Sequence, residues 1–314
     1  MTALRTALLC AVPLSLFACR PGLPAPTRLP SDVEAISLLG DTLRRPVIDS
    51  ATRLLLERRL GDARRDAVAR PDDPDAAIWL GRRLAYLGRY RDAIDVFTEA
   101  LARHPDDPRL YRHRGHRWIT VRELDRAVAD LERAARLTTG APDEVEPDGI
   151  PNARNTPIGT LQSNIWYHLA LAHYLRGDLE AALAAEREGM RLAANPDRLV
   201  SQSHWLYLTL RRLGREAEAA AALTPIVDDL DVIENDGYHR LLLMYKGELD
   251  ADSLLASVRP GAGSADVSVA YGIAAWHEAE GRDERARRIY DMIISGGQWA
   301  AFGYIAAEAD LARR

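Results

Sequence analysis

The side chains able to do chemistry in this 314-residue chain are histidines, serines, carboxylates and arginines, because only two cysteines are present, Cys10 and Cys19. His113 and His116 stand three apart, a spacing at which one helix can offer both to a metal ion. No carboxylate or third histidine lies at ligand spacing beside them, so neither a metal nor another cofactor is expected. His168 and His173 are five apart and fall on different helix faces. Ser163, Ser201, Ser203 and Ser253 are candidate nucleophiles, but none has a base at a recognisable spacing. There is no Gly-Lys-Ser/Thr phosphate loop, no Gly-x-Ser-x-Gly elbow and no His-Glu-x-x-His. What stands out is blocked charge. Asp143, Glu144, Glu146 and Asp148 crowd into six residues, and the basic residues are arginines throughout apart from Lys246. Arginine suits bidentate capture of carboxylates.

The elements that must position these groups are helices. At 47% hydrophobic residues the chain has ample apolar surface for a core, and its 6% aromatic content with abundant Ala, Leu and Arg favours helix. A net charge of −5 makes no electrostatic case for nucleic acid or a membrane surface. Between Pro74 and Asp107 small residues (Gly81, Ala93, Ala100) alternate at helical spacing with large ones (Leu80, Leu84, Phe97), and Gly88 divides the run into two antiparallel helices. Thirty-four residues on, the pattern returns: Pro71-Asp72-Asp73-Pro74 becomes Pro105-Asp106-Asp107-Pro108, Gly81 becomes Gly115, Phe97 becomes Leu131 and Ala100 becomes Ala134. This period and residue order resemble the tetratricopeptide repeat. The resemblance implies an all-α fold, a right-handed solenoid of helical hairpins closed by N- and C-terminal capping helices, with a concave groove for protein partners.

Aligned on the turn between paired helices, the repeats place Gly88, Arg122, Gly177, Gly214, Gly247 and Gly281 in register, at steps of 34, 55, 37, 33 and 34. The long step marks an insertion. Repeats one and two are expected over 74–141, the insertion over 142–162 and repeats three to six over 163–300, the fifth degenerate with Asp252 in place of a small apolar residue. Residues 139–159 hold four prolines and three glycines, which no helix survives. Ahead of the repeats, 32–73 is expected to form two capping helices, Val33 to Leu43 and Asp49 to Ala69, the second burying Leu54, Leu55, Leu60, Ala63 and Ala67. Gln298 to Arg314 is expected to be a final helix, with Trp299, Phe302, Ile305 and Ala309 inward and a polar end facing water.

The first 18 residues read as a secretion signal, a positive start followed by an apolar run too short to span a bilayer. The ending Leu16-Phe17-Ala18-Cys19 resembles the lipobox of bacterial lipoproteins, with Phe17 departing from the usual small residue. That resemblance implies cleavage before Cys19, acylation of Cys19, a Pro-rich tether over 19–31 and an outer-membrane anchor facing the periplasm.

Groove residues follow from the repeat resemblance by position. They are Arg82 from the first repeat, Arg109, Arg112 and His116 from the second, Asn164, Tyr167 and Tyr174 from the third, and His204 and Arg211 from the fourth. Such a groove suits an acidic, extended protein or peptide segment. It is loosely similar to the carboxylate clamp of chaperone-binding repeats, although His116 stands where that clamp has Asn. The whole chain looks like exported bacterial repeat proteins of no assigned activity, which implies a non-enzymatic scaffold touching the membrane only through its lipid. Two alternatives are an enzyme built around the insertion with His116, His204 and Asn164, and a structural protein whose acidic insertion folds back into its own groove.

Overall fold

A computed structural model describes residues 29–258 and 263–314; the signal, Cys19 and most of the tether lie outside them. The Pro-Asp-Asp-Pro segments act alike at both occurrences. Asp73 and Asp107 cap the helices α2 (Pro74–Tyr86) and α4 (Pro108–Thr120), each side chain accepting a backbone N–H two residues on at 2.9 Å. The proline that follows sits in the first turn, where no N–H donor is needed. Their hairpin partners are α3 (Tyr90–Arg103) and α5 (Leu124–Leu137). Close approach depends on the small residues: a Cβ on Gly81 would lie 2.3 Å from the Phe97 ring.

The series continues through α6 (Leu161–Arg176) and α7 (Leu179–Arg191), α8 (Pro196–Arg212) and α9 (Glu216–Ala222), α10 (Asp236–Tyr245) and α11 (Ala251–Ala256), and α12 (Ser264–Ala279) and α13 (Asp283–Ile294). All six turn residues aligned by sequence have positive φ, from 66° to 84°, and Arg122 is the one that is not glycine. The first helices α2, α4, α6 and α8 touch in order and lead on to α10 and α12, forming an inner wall; the second helices pack outside. One continuous apolar core runs from the N-terminal residues to the last helix. In the fifth repeat Asp252 is exposed and pairs with Arg285 rather than entering that core.

Both ends depart from the expected caps. Val33 to Leu43 is not a helix: β1 (Val33–Ile36) and β2 (Thr42–Arg44) form an antiparallel hairpin, turned at Gly40 with φ of 92°. The Ser37 side chain accepts the N–H groups of Leu39 and Asp41, so the turn competes successfully with a helical run that Gly40 would weaken. The helix α1 (Ser50–Ala69) forms as expected but buries Leu56, Leu60 and Ala63, leaving Leu54 and Leu55 exposed.

The last helix, α14 (Phe302–Ala312), is not a cap facing water on one side. Gly303 to Asp310 are buried around the whole circumference, because α14 lies against α6, α12 and α13 and meets the β-hairpin beyond them. Glu308 accepts from Arg122 at 2.8 and 2.9 Å and from the Leu38 N–H, and the Trp299 indole donates to the Arg44 carbonyl at 2.8 Å. The two ends of the solenoid therefore clasp each other.

Candidate functional site

The Pro/Gly-rich insertion is helix-free, yet it is tied down along its length. At its base Val145 bridges to Thr160, with the Glu146 N–H donating to Gly159 O at 2.9 Å and the Leu161 N–H to Glu144 O at 2.8 Å. In the middle the Gly149 carbonyl accepts from Arg83 at 2.9 Å, and the Ile158 carbonyl from Asn195 at 2.9 Å. At its far end Arg154 pairs with Asp231 and Asn152 donates to Glu234, both at 2.6 Å. The segment thus straps the inner wall from the second repeat to the connection before α10.

Glu146 is the side chain this strap delivers inward. One carboxylate oxygen lies 2.9 Å from Arg112 Nη2, and the other accepts from Asn164 Nδ2 at 3.1 Å. Asn164 is held in turn by Arg198, which donates to its side-chain oxygen. Beneath the strap is a compartment of about 360 Å³ walled by Arg82, Tyr86, Arg112, Asp148, Arg198 and Phe302. A deeper chamber of about 140 Å³ shares Arg82, Tyr86, Arg112 and Glu146 with it and adds Phe97, His113, His116 and Arg117. Beyond Phe302 a third compartment, about 370 Å³, is lined by Tyr167, Asn235, Tyr238 and Ser268.

Burial sets the protonation of this site. It holds the imidazoles of His113, His116 and His168 well below the ordinary histidine range, and the neighbouring arginines push the same way, so all three are neutral at pH 7. Burial also brings Arg117 down to about 10, still protonated at neutral pH. The Asp148 carboxyl is raised by burial, opposed by Arg82. The His116 and His168 rings lie 4.3 Å apart between centroids, and Phe302 packs on both. Among the described residues no group of three His, Cys, Asp or Glu side chains is placed to hold a metal ion.

Five residues expected in the groove meet here: Arg82, Arg112, His116, Asn164 and Tyr167. Arg109 sits at the rim, paired with Asp75 at 2.5 Å and with its own cap, Asp107, at 2.6 Å. Tyr174 and His204 are 0% exposed. Tyr174 hydrogen-bonds Tyr271 and His204 packs on Trp205 and Tyr238, so the core rather than a groove surrounds them. Arg211 lies elsewhere, pairing with Glu280 and Tyr207. Positional reasoning did not reach Arg117, Arg198, His168 or Phe302. Arg198 lies one turn before Ser201, on the same face, and that spacing could have found it. Phe302 had no such signal, because α14 was expected at the outer end.

The strap's seat depends on Gly149, which is buried; a Cβ there would lie 1.6 Å from the Tyr86 hydroxyl. Gly149→Ala is expected to lift the strap, speeding limited tryptic cleavage at Arg154 tenfold or more with a melting temperature within about 2 °C of the parent. An unchanged cleavage rate would mean that Tyr86 swings aside instead.

Residues 74–116 match the family model of the tetratricopeptide repeat. Five further hairpins repeat the turn geometry of that matched segment, so the described residues have the fold of a tetratricopeptide-type helical solenoid. Among solved structures it is similar to YrrB, described as a repeat protein with an unusual peptide-binding site, at 13% identity over 74% of this chain and 91% of that one, TM-score 0.42. It is also similar to a putative kinesin light chain from Podosopora anserina, at 15% identity over 72% and 95%, TM-score 0.42. A third is the apo quorum sensor NprR from B. thuringiensis, at 14% identity over 77% and 84%, TM-score 0.35. No curated protein matches the chain.

Proposed function

We propose that this chain is a non-enzymatic protein-interaction scaffold whose concave wall is held by its own acidic strap and is opened to an acidic segment of a partner. The observation that carries this reading is the Glu146 carboxylate seated between Arg112 and Asn164, where a partner's carboxylate would otherwise sit. The groove thus contains a built-in ligand, and a partner must compete with it. Catalysis has less support. Ser163 and Ser201 direct their hydroxyls to backbone carbonyls and Ser203 to the Met190 sulfur, none to a histidine. Anchoring through a lipid on Cys19, in the outer membrane and facing the periplasm, belongs to the same proposal and rests on Leu16 to Cys19. Among the described residues no helix is long and apolar enough to cross a membrane.

The test supplies the strap in trans. A fluorescent peptide of residues 142–158 is expected to bind the Glu146→Gln chain at least tenfold more tightly than the parent, a difference of about 1.4 kcal/mol. Arg112→Glu placed on top of Glu146→Gln should abolish that binding. Equal, negligible binding to parent and Glu146→Gln would favour a purely structural strap and end the scaffold reading.

A further inference from the structure

The deep chamber carries more positive charge than its own carboxylate answers. Arg82, Arg112 and Arg117 all line it, and Glu146 is the one acidic residue in its wall. Of the three arginines Glu146 pairs with Arg112 alone, with the neutral His113 ring 3.9 Å away; among the described residues neither Arg82 nor Arg117 has a carboxylate within 4.0 Å. Their contacts are aromatic instead. Arg82 lies 4.5 Å over the Trp79 ring and Arg117 5.6 Å from the Tyr90 ring centre. Arg112 is 7% exposed, and its Nε is buried with no hydrogen-bond partner. Buried donors are nearly always satisfied, so a free guanidinium N–H beside two cations that have no carboxylate within 4.0 Å marks a place made for an acceptor.

We infer that this chamber binds a small oxyanion, a phosphate or carboxylate group, on Arg117, Arg82 and the free Nε–H of Arg112. Its volume of about 140 Å³ exceeds that of several waters and accommodates such a group without moving Phe97 or Tyr86. The chamber adjoins the compartment under the strap, with Arg82, Tyr86, Arg112 and Glu146 in the walls of both. A small ion fits this volume with the strap in place, whereas a polypeptide would have to displace the strap, which Glu144, Glu146, Gly149 and Ile158 tie down. The His113 and His116 rings, held neutral by burial, complete the wall without adding charge.

The full chain would be melted at pH 7.5 in sodium phosphate, in sodium acetate and in sodium chloride of matched ionic strength. Phosphate or acetate is expected to raise the melting temperature by several degrees over chloride, saturably, with a matching heat by titration calorimetry. Which of the two salts acts identifies the group. Arg117→Met is expected to melt no lower than the parent in chloride, having lost a half-buried cation with no carboxylate beside it, and to lose the anion shift. Arg82→Met gives the same comparison should Arg117→Met fail to fold. Identical melting in all three salts would overturn the site, as would a shift that survives in either variant. Failure here leaves the Glu146→Gln peptide result standing, since that measurement reports the strap and not the chamber.

Discussion

Replacing Arg122 by glycine is expected to lower the unfolding free energy by about 3–5 kcal/mol, although glycine holds this turn position in the other five hairpins. The backbone there has φ of 66°, a conformation that costs an L-residue roughly 1–2 kcal/mol. Relief of that strain works against the loss, and the loss still dominates. The Arg122 guanidinium donates twice to Glu308, to Trp299 O at 2.7 Å and to Thr120 O at 2.5 Å, and stands 5.4 Å over the Trp299 ring. Both side chains of the pair are almost wholly buried, at 2% and 1% exposed. Glycine would leave the Glu308 carboxylate in the core with only the Leu38 N–H. Urea denaturation measures the effect directly. Adding Glu308→Gln to Arg122→Gly should recover part of the stability, because a neutral amide is far cheaper to bury than an unpaired carboxylate. A loss below about 1 kcal/mol would show that the clasp between the two ends contributes little.

The second large effect is a pH dependence. Glu186, on α7, is 0% exposed, accepts from Thr209 Oγ1 at 2.7 Å and, among the described residues, has no cation beside it. Burial pushes its carboxyl up to about 8, against an ordinary value of 4.5. Below pH 4.5 folded and unfolded chains both carry the proton, and the group is neutral in effect. As pH rises from there to about 8 the unfolded chain releases a proton that the folded chain retains, so stability falls across that window and then levels. The full span is on the order of 5 kcal/mol. Glu186→Gln should therefore match the parent near pH 4 and exceed its stability by up to that amount at pH 8.5, read as the difference between two denaturation series. Parallel curves at all pH values would mean that Glu186 is solvated or paired in solution.

The parts of the fold legible in advance were those written locally. Pro-Asp-Asp-Pro caps and starts a helix because a side-chain oxygen and a missing N–H act within one turn. Gly81 admits Phe97 sixteen residues away, and the turn positions read off by alignment are those with positive φ. The acidic insertion was recognisable by composition, and its nearness to the basic second repeat suggested a built-in ligand. Which of its carboxylates reaches Arg112 was not readable, since Asp143, Glu144, Glu146 and Asp148 are chemically alike and only the Val145–Thr160 bridge fixes which one turns inward.

The ends were misjudged for a related reason. A charged residue in a helix is read as solvent-facing unless its partner is known, and Glu308 finds Arg122 from 186 positions away. With its Arg313 and Arg314 end expected in water, α14 looks like an outer cap; with Glu308 on Arg122 and Asp310 on Tyr271, Gly303 to Asp310 are buried on every side. The sequence by itself determined the repeat, its turns and its helix starts, because each depends on side chains within a single hairpin. That the solenoid's two ends meet, and that three arginines gather at one chamber on its inner wall, came only with the folded chain, because both rest on contacts between residues whose separation no period encodes.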